Sequence, residues 1–265
     1  MAIITLLSDF GLKDPYVAEM KAVILSICPN VTIIDVTHKV DKFDMNMGMF
    51  ILASVAPYFP KGTIHIAVID PEVGGARRSI LVEGRRNYYI GPDNGVLIMA
   101  AKNEGIKNVY NITNKKSISR FVSSTFHGRD IFAYIASHIA KGFDPREVGN
   151  EIDDYVIHKF REARIKDKEA NCEIIYADEF GNLVTNIHSK DRSRLGLKLG
   201  RNIMLEVREN KFNTKLKRTY SEVAKKELLA LIGSHNYLEI AVNQGSAKEM
   251  LKINKGDELK LILLD

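Results

Sequence analysis

An α/β N-terminal domain on a doubly wound, largely parallel sheet, followed by a C-terminal antiparallel β-barrel domain, is the fold this sequence predicts. Three observations point to it. Over roughly the first 150 residues, short apolar runs alternate with stretches of helical periodicity, the pattern of strand–helix–strand units. From residue 172 onward the apolar runs are short and strand-like, separated by the turn residues Asp178, Gly181, Gly200, Gly233 and Gly256. Between these regions, 151–170 is charged and reads as a connector, which gives domains at 1–155 and 172–265 joined by a linker at 156–171.

The elements follow in order. Residues 2–8 form a continuous apolar run, the signature of a strand buried on both faces. Asp14-Pro15 reads as a helix N-cap with proline at the first helical position. The helix that follows places Val17, Met20, Ile24 and Ile27 on one face, and Pro29-Asn30 ends it. Strands are expected at 31–35, 63–69, 79–83 and 88–90, with a second helix capped by Asp44, running to Val55 and stopped before Pro57 and Pro60. A further helix is expected at 130–140, after the loop TFHGRD. In the second domain, strands are expected at 172–177, 183–187, 202–207, 228–232, 237–242 and 258–264.

Composition narrows the function classes. The 265 residues are 45% hydrophobic and 27% charged, ordinary globular values. Two distant cysteines, Cys28 and Cys172, make neither a disulfide framework nor a metal-ligand pair, so a reducing compartment is the simplest expectation. No apolar stretch approaches the ~20 residues of a membrane span, and the start of the chain carries no basic leader, so a cytoplasmic protein with no membrane partner is expected. The net charge of +5 raises the question of nucleic acid, but basic and acidic residues are intermixed and no nucleic-acid-reading motif is present, so no nucleic-acid partner is expected.

In doubly wound sheets ligands sit beyond the carboxyl ends of the strands. That rule singles out Asp9, Asp35, Asp70 and Asp93, each just after a predicted strand or a strand and a short turn. Asp9 suits sugar hydroxyls, since both its oxygens accept; it can equally cap its turn. Asp70, in IDPEVGGARR, is followed by a glycine pair and by Arg77, which can fold back to pair with it; the segment lacks the lysine and hydroxyl of a phosphate loop. His127, before Gly128 at a loop–helix junction, suits proton exchange in a cleft or is simply a surface residue. In the second domain, Asp178, Phe180 and Asn182 in DEFGN, and Ser234 and His235 before the strand at 237–242 with Asn243 after it, suit a polar planar ligand or are ordinary turns. A metal-dependent phosphohydrolase built on Asp9, Asp35, His38, Asp70 and His127 is a rival, although no recognisable metal-ligand spacing occurs and no metal is expected.

The ordered set SDFG, IDPEVGGARR, TFHGRD, DEFGNLVTN and GSHNYLEIAVNQG resembles the S-adenosylmethionine hydrolase family, also called SAM hydroxide adenosyltransferases, over nearly the whole chain. These are relatives of the fluorinase and chlorinase. The resemblance implies an α/β domain joined to a β-barrel, a homotrimer with active sites between the N-domain of one subunit and the C-domain of the next, and S-adenosylmethionine as substrate with no separate cofactor. It implies hydrolysis to adenosine and L-methionine, with Arg77 and His127 holding the water or hydroxide that attacks the ribose 5′ carbon and Asp70 orienting them. Asp9 matches the residue that holds the ribose hydroxyls, and Asp14 lies where the family contacts the methionine end. Asp178 matches a binder of the methionine amino group, with Phe180 and Asn182 in the same ligand-facing segment. Ser234 matches a carboxylate-binding serine, and Val242, Asn243 and Gln244 the strand edge that meets adenine. Asp70 stands where the fluorinase has tyrosine and Gly128 where it has a halide-contacting serine, which favours water over halide. Tyr16 and His235 depart from the fluorinase pattern at the methionine end. A SAM-dependent halogenase and a non-catalytic adenosine or SAM-binding protein remain the alternatives.

Overall fold

The computed structural model describes residues 2–264, which divide into two compact units with the boundary between Lys159 and Phe160. In the first unit, β1 (Ile3–Ser8), β2 (Thr32–Thr37), β3 (Ile64–Val68), β4 (Ser79–Gly84), β5 (Tyr88–Pro92), β6 (Ile106–Ile112) and β7 (Gly149–Glu151) form one sheet in the order β2-β1-β3-β5-β4-β6-β7. The helices are α1 (Tyr16–Ile27), α2 (Met45–Val55), α3 (Ile98–Glu104) and α4 (Ala133–Ala140). Ile4, Leu6, Ile64 and Ile66 pack with Met20 and Ile24 of α1 and with Ile135 and Ile139 of α4, while α2 pairs with α3. A fully buried aliphatic side chain of this kind contributes about 1.5–3 kcal/mol.

The sheet is mixed rather than largely parallel. The pairs β1–β2, β1–β3 and β3–β5 are parallel, whereas β4–β5, β4–β6 and β6–β7 are antiparallel. The reason is connection length. Only residues 85–87 separate β4 from β5, and a link that short can only reverse the chain. The expected N-caps also divide. Asp44 accepts the Met47 amide at 2.9 Å and starts α2 as read from the sequence. Asp14 does not cap α1: Pro15 itself is the N-cap residue, and no side chain closes the first turn. The helix expected at 130–140 begins instead as a π-helical turn, Gly128–Phe132, that runs into α4.

The second unit is an antiparallel sheet, nearly closed on itself. Its strands are β8 (Arg164–Lys166), β9 (Glu169–Ala177), β10 (Leu183–His188), β11 (Asn202–Val207), β12 (Asn210–Lys215), β13 (Leu228–Ile232), β14 (Tyr237–Val242) and β15 (Glu258–Leu263). The path runs β12-β11-β15-β9-β10-β14-β13, with β8 added beside β9. Its ends meet through the Leu216–Ala230 bridge and a bond from Thr214 Oγ1 to the Leu228 carbonyl at 2.9 Å, which covers edges that would otherwise stay open. Leu183, Ile187, Leu205, Leu238, Ile240 and Leu261 fill its interior. The charged stretch read as a linker holds β8, and β9 begins at Glu169, ahead of the expected Cys172. Cys28 and Cys172 are both free thiols. Among the described residues no helix is long and apolar enough to cross a membrane.

One core residue is titratable. His65 on β3 is fully buried, its Nδ1 lies 2.7 Å from Thr5 Oγ1, and its ring stacks on Tyr89 at 5.1 Å. Burial pushes its pKa from 6.5 down to about 4. The fold therefore holds His65 neutral while the unfolded chain protonates it, so stability is complete above 6.5 and is lost as pH falls towards 4. Between these limits the unfolding free energy of the native sequence is expected to fall by about 3 kcal/mol more than that of His65→Gln. Urea titrations of both proteins at neutral and acidic pH check this, and parallel losses would refute it.

Candidate active site

The loop after β3 and the loop before α4 meet around one guanidinium. Arg77 donates from Nε to Asp70 Oδ1 at 3.0 Å and from one terminal nitrogen to Asp70 Oδ2 at 2.5 Å. That same nitrogen lies 2.7 Å from His127 Nδ1. The other terminal nitrogen donates to Ser79 Oγ at 3.0 Å and to the Arg78 carbonyl. The side chains of Arg77 and Asp70 are only 3% and 5% exposed. Phe132 of the π-helical turn lies 5.7 Å under the guanidinium. Thus the three residues singled out as catalytic from the sequence form one bonded chain, Asp70–Arg77–His127.

Backbone chemistry brings the two loops together. Gly74 has φ +77°, and a Cβ there would sit 2.1 Å from the carbonyl oxygen of Ser124. Only glycine allows that approach. On the His127 side, Asp130 accepts the Ser123 amide at 2.8 Å and pairs with Arg129, which also reaches Glu19 on α1 at 2.7 Å. Asp130 therefore ties down the preceding loop. Gly128 is packed so that a Cβ would come 3.2 Å from Met20 Sδ and 3.3 Å from the Phe126 ring, so a larger residue there needs these neighbours to shift by a few tenths of an ångström.

The hydrogen-bond roles follow from donor chemistry. A guanidinium only donates, so His127 Nδ1 accepts from Arg77 and the ring proton resides on Nε2. Burial, then the Arg77 charge, pushes the His127 pKa below the ordinary 6.5, against opposing pulls from Asp70 and Asp130. His127 is therefore a neutral ring near neutral pH, presenting an N–H.

Asp9 lies on the turn after β1, the strand that pairs with β3, whose following loop carries Asp70. It is 6% exposed; its Oδ2 accepts the Phe43 amide at 2.9 Å, and Lys42 reaches its carbonyl oxygen. The Gly11 amide bonds the His38 carbonyl at 2.7 Å, and Ser8 Oγ meets His38 Nδ1 at 2.7 Å, so the turns after β1 and β2 are stitched together. Phe10, Tyr16 and Phe126 form a ring cluster with centroids 5.2–5.8 Å apart, which links the Asp9 turn to the His127 loop. Asp14 is exposed. Phe43 was not legible as a site residue in the sequence. Its backbone has φ +64°, its amide holds Asp9, and its ring is 65% exposed, an open stacking surface next to a carboxylate. Asp35 and Asp93, by contrast, are occupied structurally: Asp35 by Lys21 at 2.6 Å, Asp93 by Arg78 and the Val156 amide, each at 2.8 Å. Among the described residues no group of three or more His, Cys, Asp or Glu is arranged to hold a metal ion.

In the second unit, Asp178 forms an Asx turn. Its Oδ1 accepts the amides of Phe180 and Asn182 at 2.9 and 2.8 Å, and its Oδ2 accepts Asn182 Nδ2 at 2.8 Å. The turn presents Phe180 outward, 79% exposed. Ser234 is exposed on the turn between β13 and β14. At the far end of β14 the Val242 carbonyl accepts the Gly245 amide, and the backbone N–H, C=O and side-chain amide of Asn243 all bond to residues 223–227. Asn243 is thus scaffold, and of the three residues expected at that edge Gln244 is the exposed one.

The buried pair sets a stability test. Removing one partner of a buried ion pair strands the other charge at a cost of about 3–5 kcal/mol. Arg77→Ala is expected to destabilise the protein by that amount, and Asp70→Ala added to it by less than the sum of the two single changes. Urea unfolding measures both; a loss under about 1 kcal/mol for Arg77→Ala would show the pair to be solvated.

Known proteins share this architecture. Residues 4–149 match the SAM hydroxide adenosyltransferase N-terminal domain and residues 172–260 the C-terminal domain of the same family. A relative from Methanocaldococcus jannaschii named (R)-S-adenosyl-L-methionine hydrolase is 35% identical over 98% of this chain and 95% of its own length. One of the same name from Thermus thermophilus is 33% identical over 97% and 98%. A fluorinase from Actinoplanes sp. is 32% identical over 74% of each chain. The crystal structure of an uncharacterised conserved protein from Thermotoga maritima superposes with a TM-score of 0.92 at 33% identity, covering 99% of this chain and all of that one. With both of its units matched in order, the chain belongs to the SAM hydroxide adenosyltransferase family.

Proposed function

We propose that this protein hydrolyses S-adenosyl-L-methionine to adenosine and L-methionine. The observation that carries the reading is the Asp70–Arg77–His127 chain, which presents an N–H donor from a neutral imidazole. In the reaction a water or hydroxide oxygen bonds to the ribose 5′ carbon while the carbon–sulfur bond breaks. The electron pair leaves with sulfur, so methionine departs as a neutral thioether and one proton goes to solvent. The leaving group is already activated, so what the protein supplies is alignment of the nucleophile, which can contribute up to about 7–11 kcal/mol. His127 Nε2–H donates to that oxygen and fixes its direction. A donor aimed at the oxygen, with the Arg77 charge behind it, favours the deprotonated form. On this reading His127 orients the oxygen rather than taking its proton, because its other nitrogen is held by Arg77. No separate cofactor takes part.

Asp9 Oδ1, left free when Oδ2 takes the Phe43 amide, serves the ribose hydroxyls, and the Phe43 ring offers a face for adenine. Asp14 on the first unit, and Asp178 and Ser234 on the second, serve the methionine end, with Phe180 exposed beside Asp178. We place the protein in the cytoplasm as a homotrimer in which the first unit of one subunit and the second unit of its neighbour complete each site. Halide transfer by the same displacement is the second reading, kept by the relatives named fluorinase. Crowding at Gly128, where a halide-contacting serine would stand in that branch, favours water.

Incubation with S-adenosyl-L-methionine in ¹⁸O-labelled water is expected to place the label on the adenosine 5′ oxygen; adenosine without label, or none released, would end this reading. His127→Ala is expected to lower kcat by about 10²-fold or more, the scale of a positioned catalytic group, with little change in substrate affinity by calorimetry. Asp9→Ala is expected to do the reverse. Because protonated His127 cannot accept from Arg77, the acid limb of the native rate profile should fall below 6.5 and vanish in His127→Ala. An acid limb kept by that variant would assign it to another group.

A further inference from the structure

We propose that Glu239 is a specificity-determining carboxylate that, with Asp178, holds the ammonium group at the amino-acid end of the substrate; this rests on the S-adenosyl-L-methionine reading above. β14 alternates strictly. Leu238, Ile240 and Val242 point into the barrel core, so Glu239 and Ala241 lie on the other face. That face is apolar and covered around Ala241, Leu229 and Leu231, yet it carries a carboxylate only 8% exposed.

The sole side-chain partner of Glu239 is the Tyr220 hydroxyl, which donates to Oε1 at 2.6 Å. Oε2 has no donor among the described residues. It is turned towards Gly233, where a Cβ would lie 2.8 Å from it. Neither Glu239 nor Asp178 has an ion-pair partner among the described residues. Burial, and then the Asp178 charge, raise the Glu239 pKa against the pull of Tyr220. Buried charges in proteins are normally paired. Here a buried carboxylate feels the Asp178 charge, and among the described residues neither carboxylate has a cationic partner.

Register explains what the missing cation is. Tyr176, Val184, Glu239 and Leu231 form one rung across β9, β10, β14 and β13. The Asp178 turn closes the β9–β10 hairpin towards one end of β14, and the Gly233–Ser234 turn enters β14 at the other. Along β14, Glu239 therefore lies between the Asp178 turn and the Gly233–Ser234 turn. A primary ammonium brings three donors, enough for both carboxylates. The adenosine portion offers no such charge, so the effect of Glu239 is confined to the amino-acid end.

The test uses the full-length enzyme and its two products as inhibitors. Glu239→Gln keeps an acceptor for Tyr220 and removes the charge. It is expected to weaken L-methionine inhibition, and to raise KM for S-adenosyl-L-methionine, by about 10-fold or more, the scale of a charge-assisted bond, while adenosine inhibition stays at the native value. Glu239→Asp, which keeps the charge, is expected to recover part of the L-methionine affinity. The proposal is overturned if the Gln variant keeps native L-methionine inhibition, if it loses adenosine and L-methionine affinity equally, or if Asp and Gln are equally damaging, since each marks a packing role. Native enzyme that releases no adenosine from S-adenosyl-L-methionine ends the functional reading itself; native turnover with any of these three outcomes ends only the role of Glu239.

Discussion

The Arg77 guanidinium is the constraint on which the first unit's chemistry depends. It is nearly buried, and a buried cation is tolerated only when its donors are met. Asp70 meets two of them side-on, Ser79 and the Arg78 carbonyl meet the other terminus, and His127 takes what is left. Each partner comes from a different part of the chain: the end of β3, the start of β4 and the loop before α4. Satisfying one side chain therefore fixes three backbone segments relative to one another. Gly74 makes this sterically feasible by letting the Asp70 loop lie directly on the Ser124 carbonyl. The geometry of the candidate site and its local stability thus rest on the same contacts, so a substitution that disturbs one disturbs the other.

That arrangement also selects a protonation state. An imidazole beside a guanidinium is disfavoured as a cation, and the acceptor role of Nδ1 leaves a single tautomer compatible with the bonding. Asp70 partly offsets the effect, since its charge favours the imidazolium. Burial and Arg77 outweigh it. Fixed donors in a poorly solvated site interact more strongly with charge than the same donors do in water.

Much of this was legible in the sequence, and the parts that were not share a cause. Local signals worked where one residue decides the outcome. Asp44 caps α2 because its side chain reaches the Met47 amide unaided. Arg77 folds back on Asp70 because the glycine pair between them permits a tight turn. Signals failed where a neighbour competes. Asp14 lost the cap position to Pro15. The parallel reading failed at β4, since an apolar run of that length carries no mark of its direction and the three-residue link to β5 supplies it. β6, β7, β8 and β12 were missed for lack of a long apolar run: β12 is NKFNTK, a polar strand held by its register with β11. Phe43 and Glu239 were invisible as site residues for a further reason. One is an aromatic in a left-handed turn, and the other an outward residue of an alternating strand, which reads as ordinary surface until burial is known.

Charge placement completes the argument for a cationic substrate. A sulfonium ion is repelled by an unbalanced guanidinium, so a site that aligns water with Arg77 must cancel that charge locally. The side-on contact of Asp70 does so at hydrogen-bond distance, leaving the neutral imidazole with an N–H on Nε2. The uncompensated charges elsewhere in the candidate set are negative: Asp14 on the first unit, Asp178 and Glu239 on the second. The net charge of +5 over the chain is a sum over both units and does not describe the balance of charge at any one group of side chains. Within the first unit, the buried Arg77 guanidinium is neutralised locally by Asp70.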